Sequence, residues 1–316
     1  MNSSVWLIGA GGMAREYIKV LNDLSVSFDV IGRGEQNAAL CEEITAAPVH
    51  RGGLNAFLQN SPQVAEFAIV SVDIEALPEM TIQLLDYGVK HILLEKPGAV
   101  YLKQLQSMQT HAQEKGAHIF IAYNRRFYSS VIKAQEIIEQ DGGVSSFSFR
   151  FSELSQFIAD SDFSDVLKSR LFLCNSTHVA DTAFYLGGEP ETLASFHQGG
   201  TDWHPTAMVF SGSGISKRGA LFSYHADWDA PARWSINVFT KQHTLIFEPM
   251  EQLKRQKIGS FAIEEVELDD TLDQKYKPGI YLQTQRFLTK DWARHCTLAE
   301  QIGIWKTYTE IAAYSE

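Results

Sequence analysis

Through its first 122 residues the chain alternates short apolar runs with stretches of helical spacing, and few architectures accept that order. Val5-Trp6-Leu7-Ile8 is a continuous apolar run closed by glycine, the composition of a parallel strand buried on both faces. Ala14, Tyr17, Ile18, Leu21 and Leu24 then recur at helical spacing, which predicts a helix over 13–24. Further strands are expected at 28–31, 46–49, 67–72, 91–94 and 118–122. Helices are expected over 36–44 and 55–58, from 77 up to Gly88 and from 102 up to Gly116, glycine being a common helix stop. Such alternation predicts a doubly wound parallel sheet.

Beyond Tyr123 the pattern changes. A helix over 130–140 ends at Gly142-Gly143, and strand-like runs follow at 144–153, 192–197, 207–210, 220–226, 235–240, 243–247 and 261–267. Short turns between successive strands predict an open, mostly antiparallel sheet. Helices over 175–186, 281–295 and 298–314 make this part α+β. The 316 residues therefore read as two domains, 1–123 and 124–316. In the second, Trp234, Ile236 and Val238 alternate on one strand and Phe222 and Tyr224 on another. One of these apolar faces is expected to cover core helices and the other to meet a partner subunit.

Composition narrows the function. The formal net charge of -11, with 27 Lys+Arg against 38 Asp+Glu, argues against nucleic acid as a partner. No apolar run approaches the ~20 residues of a membrane span, and a signal peptide is not expected ahead of Val5. Cys41, Cys174 and Cys296 are odd in number and far apart, which fits a reducing cytoplasm better than a disulfide framework. Neither CxxC nor HExxH occurs, so no metal site is expected.

Gly9-Ala10-Gly11-Gly12-Met13-Ala14 follows the first strand and opens the first helix, the context in which GxGxxG/A binds a dinucleotide. Gly9 permits the tight turn, and Gly11 and Gly12 let the backbone approach a pyrophosphate. Ala14 is small enough for close helix–strand packing, and the helix N-terminus, with Met13 in its first turn, faces the anion. The second strand ends Val30-Ile31-Gly32-Arg33, with glycine where an acid would hold the ribose hydroxyls of NAD. Arg33 suits the 2′-phosphate of NADP, so NADP(H) is the expected cofactor and NAD(H) the alternative. Against this stands the plainer possibility that Arg33 is a solvated surface residue.

Glu95-Lys96-Pro97 closes the fifth strand, at the edge where open α/β sheets bind ligands. With the glycine turn upstream, the chain resembles the Gfo/Idh/MocA oxidoreductases, the glucose–fructose oxidoreductase and inositol dehydrogenase superfamily. The resemblance covers essentially the whole chain and implies a Rossmann domain followed by an open-sheet α+β domain. It implies that Lys96 is the catalytic acid/base or orients the reacting hydroxyl, with Glu95 beside the cofactor. Cys174-Asn175-Ser176-Thr177-His178-Val179-Ala180-Asp181 matches the family's Asp-x-x-x-His-x-x-Asp signature except that Cys174 replaces its first Asp. By that match His178 is catalytic, and Asn175 and Asp181 lie with it at the substrate. A nucleophilic Cys174 is the lesser reading beside a small buried thiol.

Tyr123-Asn124-Arg125-Arg126-Phe127 resembles the family's domain-crossing segment, which places Asn124 near the nicotinamide ribose and Tyr123 and Arg125 near the substrate. The competing reading is that both arginines form interdomain salt bridges. Ser71-Val72 stands where the family often has Thr-Pro and would line the cofactor. Trp228 reads as sheet packing or an aromatic surface for a sugar, and Lys277-Pro278-Gly279 as a loop near the substrate mouth of relatives. The resemblance implies an NAD(P)-dependent oxidoreductase acting on a sugar, sugar derivative or nucleotide sugar. The rivals are a non-redox sugar enzyme that retains its cofactor and a regulatory protein on the same scaffold. A homodimer or homotetramer through the open sheet is also implied.

Overall fold

The computed structural model describes residues 4–315. It divides into two compact units, residues up to Asn124 with Leu272–Gly303, and Arg125–Thr271 with the residues from Ile304 onward.

In the first unit, β1 (Ser4–Ile8), β2 (Ser27–Ile31), β3 (Val49–His50), β4 (Phe67–Val70), β5 (His91–Leu94) and β6 (His118–Ile121) form one parallel sheet. The order is β6-β5-β4-β1-β2-β3, and Cys296–Thr297 adds an antiparallel strand beside β6. This is the doubly wound parallel sheet expected of the sequence. Val5, Leu7, Ile69 and Leu93 share one core with Tyr17 and Ile18 of the Gly12–Asp23 helix and Phe287 of the Ile280–Leu288 helix. Trp6, which alternates to the other face of β1, packs edge-on against Phe57 and beside Tyr87. Gly88 and Gly116 end their helices in the left-handed conformation that a Cβ disfavours.

The second unit holds an eight-stranded sheet: β7 (Ser146–Phe151), β8 (Pro190–Gln198), β9 (Val209–Ser216), β10 (Leu221–Asp227), β11 (Trp234–Phe239), β12 (His243–Phe247), β13 (Lys254–Lys257) and β14 (Ile263–Glu265). The order is β14-β13-β12-β11-β7-β10-β9-β8, antiparallel except where β10 runs parallel to β7. The Thr177–Gly187 helix packs on one face, with Phe184 against Phe147, Phe149 and Phe222 at ring separations of 5.4 to 6.1 Å.

The register corrects one expectation. Phe222 lies beside Phe147, which lies beside Val238, and Tyr224 beside Phe149, which lies beside Ile236. Both apolar runs therefore occupy the helix-covered face, because cross-strand partners always share a face. The opposite face carries Phe196, Ile215, Leu221, Phe239 and Ile263, all exposed. Two further differences have local causes. The helix expected over 281–295 stops at Leu288, where Lys290 takes a positive φ of 63°. The third strand begins only at Val49, after Pro48.

Candidate active site

The carboxyl ends of the parallel strands meet at Gly9. Its amide donates to the Ile31 carbonyl at 2.9 Å, and Ser71 donates to Ile8 at 2.7 Å. Gly9 has φ +118°, and a Cβ there would lie 2.0 Å from the Ser71 carbonyl oxygen, so no other residue fits without moving β4. Val72 is the next neighbour, at 3.5 Å from that position. Gly11 and Gly12 differ: a Cβ at Gly11 would meet nothing within 4 Å, and one at Gly12 only the tip of Arg15. Gly11 is the N-cap of the Gly12–Asp23 helix and has no side chain to cap it, so its first-turn amides face open space. Met13 lies 3.0 Å (Sδ) from Lys277 Nζ, and Ala14 is fully buried. A backbone cradle with unpartnered amides fits a dinucleotide pyrophosphate.

At the end of β2, a Cβ on Gly32 would approach Ala10 Cβ to 3.1 Å, so a side chain there needs Ala10 to give by a few tenths of an ångström. Arg33 is exposed, 3.6 Å from Asp73, and Asp29 is engaged by His50 at 2.9 Å.

After β5, the Glu95 carboxylate accepts a hydrogen bond of 2.8 Å from the Tyr17 hydroxyl. Burial raises the Glu95 pKa, opposed by the Tyr17 hydrogen bond and by the charges of Lys96 and Lys277. Burial and the adjacent Glu95 charge also raise the Tyr17 pKa. Lys96 follows, half-buried, and the carbonyl of Pro97 is held by Gln301 Nε2 at 3.1 Å. After β6, Tyr123 and Asn124 are buried, and Asn124 Nδ2 donates to Pro278 O at 2.9 Å.

In the second unit a single π-turn, Phe172–Ser176, leads into the Thr177–Gly187 helix. Such turns re-aim side chains and recur at functional sites. Cys174 is buried within this one. Glu153, just past β7, accepts hydrogen bonds from Ser176 Oγ at 2.5 Å and Asn175 Nδ2 at 3.1 Å. His178, buried in the first turn of the helix, has its ring 6.3 Å from that of Trp234. The Arg125 guanidinium lies 4.8 Å from the same indole. Asp181 forms a buried two-pronged ion pair with Arg126, at 2.6 and 2.9 Å. That pair lies within the second unit, where it fixes the helix carrying His178.

The structure thus brings Gly9, Ser71 and Val72 together, sets Glu95 against Tyr17 of the first helix, and gathers Arg125, His178 and Trp234 separately. Trp228 is buried, stacked with Trp203 and donating from Nε1 to Phe151 O, which is packing. Sequence reading did not assign Tyr17, Glu153 or Trp234 to the site. Tyr17 looked like one more core position on a helix, and Glu153 and Trp234 like strand residues; an acid ending a phenylalanine-rich strand was the available signal. Among the described residues no cluster of three or more His, Cys, Asp or Glu is placed to hold a metal, and no helix is long and apolar enough to cross a membrane.

The Gfo/Idh/MocA oxidoreductase family, described by its NAD-binding Rossmann fold, matches residues 4–123. Residues 4–123 are thus similar to the Rossmann domain of that family. No curated protein matches the chain. Solved structures do. Levoglucosan dehydrogenase in complex with NADH and L-sorbose is 15% identical with a TM-score of 0.79, covering 99% of this chain and 96% of its own. UDP-N-acetylglucosamine 3-dehydrogenase GnnA from Acidithiobacillus ferrooxidans is 13% identical with a TM-score of 0.76, over 98% and 96%. The WlbA dehydrogenase from Chromobacterium violaceum, in complex with NADH and UDP-GlcNAcA, is 15% identical with a TM-score of 0.75, over 98% and 92%. At these identities the likeness is one of fold, and the family match over residues 4–123 is to an NAD-binding Rossmann domain.

Proposed function

We propose that the protein is an NADP(H)-preferring oxidoreductase that exchanges hydride with a hydroxyl or keto carbon of a sugar, sugar derivative or nucleotide sugar. The observation that carries this reading is the end of β5, where Glu95 is bonded to Tyr17 of the helix behind the glycine cradle and Lys96 follows directly. The sugar and nucleotide-sugar dehydrogenases of the same fold support the substrate class.

The nicotinamide, when bound, accepts or returns the hydride; every other task falls to the chain. The amides after Gly11 hold the pyrophosphate, Ser71, Val72 and Asn124 line the cofactor, and Arg33 meets the 2′-phosphate. In oxidation Lys96 takes the hydroxyl proton, directly or through His178, and in reduction the proton returns the same way. Tyr123, Arg125 and Asn175 contact the sugar, while Asp181 acts through Arg126 to hold the His178 helix. We assign the open face of the second sheet to self-association as a homodimer or homotetramer.

A panel of sugars and nucleotide sugars, followed by absorbance with both cofactors, tests the activity. Lys96→Met and His178→Ala are each expected to slow single-turnover hydride transfer by ~10²–10⁴-fold. NADPH binding should stay near normal, because backbone groups hold the pyrophosphate. Near-normal rates for Lys96→Met would refute the catalytic assignment and favour a regulatory protein on this scaffold.

A further inference from the structure

Arg125 is the one arginine of the second unit's site without an acid to match it. Arg126, its neighbour, is paired with Asp181. Arg125 lies instead between two aromatic rings, 4.8 Å from the Trp234 centroid and 5.6 Å from that of Tyr128. Among the described residues its side chain forms no ion pair or hydrogen bond, and its Nε–H is buried without a partner. Burial depresses its pKa, opposed by the charges of Tyr128, Glu251 and Glu153. Of these, the Glu153 carboxylate is already engaged by Asn175 and Ser176. Arg125 feels the Glu251 and Glu153 charges but has no direct ion-pair partner, and a buried cation held that way is costly, which leaves its guanidinium for an outside anion.

We propose that Arg125 receives an oxyanion carried by the substrate itself, a carboxylate or phosphoryl group on the sugar. This rests on the reading of His178 as part of a sugar oxidoreductase site. Because Arg125 and His178 flank the same Trp234 indole, the oxyanion sits about one sugar ring from the reacting carbon. A guanidinium lying over an aromatic ring can still give paired N–H donors to two oxygens, the geometry in which arginine outperforms lysine for a carboxylate.

The test is calorimetric titration of the NADPH-loaded protein with matched probes: glucose against glucuronate and glucose 6-phosphate, galactose against galacturonate, and UDP-glucose against UDP-glucuronate. At least one acidic member should bind about 10- to 100-fold tighter than its neutral counterpart, the range for a charge-assisted hydrogen bond. Arg125→Met should erase that preference, so that acidic and neutral members bind alike, while leaving NADPH binding unchanged. Arg125→Lys, which keeps the charge and guards against misfolding, should retain most phosphoryl binding but little carboxylate binding, and so identifies the oxyanion. The proposal is overturned if no acidic member outbinds its counterpart, if the preference survives Arg125→Met, or if Arg125→Met weakens NADPH instead. Hydride transfer from a neutral sugar with no acid preference overturns this inference and leaves the oxidoreductase reading standing. An Arg125-dependent acid preference without hydride transfer for any probe does the reverse.

Discussion

Glu95 has a consequence that can be measured without knowing the substrate. Its carboxyl is pushed up by burial and held partly down by the Tyr17 hydroxyl. A raised folded pKa favours the protonated form, so the associated stability is present at low pH and lost as pH rises through that pKa. Tyr17→Phe removes a hydrogen bond that favours the carboxylate, which raises the pKa further. The variant should cost ~1–3 kcal/mol, and its deficit should grow as pH rises above the ordinary carboxylate range, about 4.3 for Glu. Chemical unfolding as a function of pH checks it; a pH-independent deficit would sever Glu95 from Tyr17. Arg33 gives a second test at this scale. Its guanidinium is exposed and its carboxylate neighbour, Asp73, lies 3.6 Å away in solvent, a weak competitor for a phosphate. Arg33→Ala should weaken NADPH binding by ~1.5–3 kcal/mol and leave NADH nearly unchanged. Tighter NADH than NADPH binding by the unaltered protein would reverse the cofactor assignment.

The elements explain how the second unit holds its histidine helix. The π-turn Phe172–Ser176 begins at an amide, Phe172 N–H, that donates to the Tyr314 hydroxyl at 3.1 Å. Tyr314 donates in turn to His204 Nε2 at 3.0 Å, and His204 Nδ1–H donates to Ala207 O at 2.7 Å. This chain ties the C-terminal segment to the turn and is saturated only while His204 is neutral. Burial drives the His204 pKa down to about 4. A depressed histidine pKa means that the unfolded chain binds the proton first, so stability is lost as pH falls from about 6.5 towards 4. The loss should be on the order of 3 kcal/mol, and His204→Gln should not show it. Equal acid sensitivity of the two proteins in urea would place the titrating group elsewhere.

Across the whole molecule, the second sheet has one face covered by a helix and one face rich in exposed side chains. Leu221, Ile215 and Phe239 form a row across neighbouring strands on that open face, with Phe196 and Ile263 further out. An exposed apolar row on a broad sheet favours burial against another copy. Sedimentation at micromolar concentration should show a dimer or larger species, and Leu221→Glu should shift it towards monomer. A monomeric unaltered protein at that concentration would refute the assignment.

The parallel half was legible because its information is local. Strand composition, helical spacing and the stops at Gly88 and Gly116 are short-range properties, and the doubly wound order followed from them. The glycine turn was legible for the same reason, since Gly9 answers a backbone constraint set by Ser71 at the next strand end. Lys254–Lys257 was missed as a strand because its Lys-Arg-Gln-Lys composition suits the outer part of a sheet, where charge guards against further pairing. The two apolar runs of the second sheet were expected on different faces because faces depend on register, and register is set by partners far away in sequence. The matching of ions was likewise a tertiary decision. Two adjacent arginines look alike in the sequence, and only packing gave Asp181 to Arg126 while leaving Arg125 between aromatic rings without an acid. The sequence by itself determined the elements and the dinucleotide turn, which rest on neighbours along the chain. The tertiary structure decided which side chains face one another, because that depends on distances the chain closes only when folded.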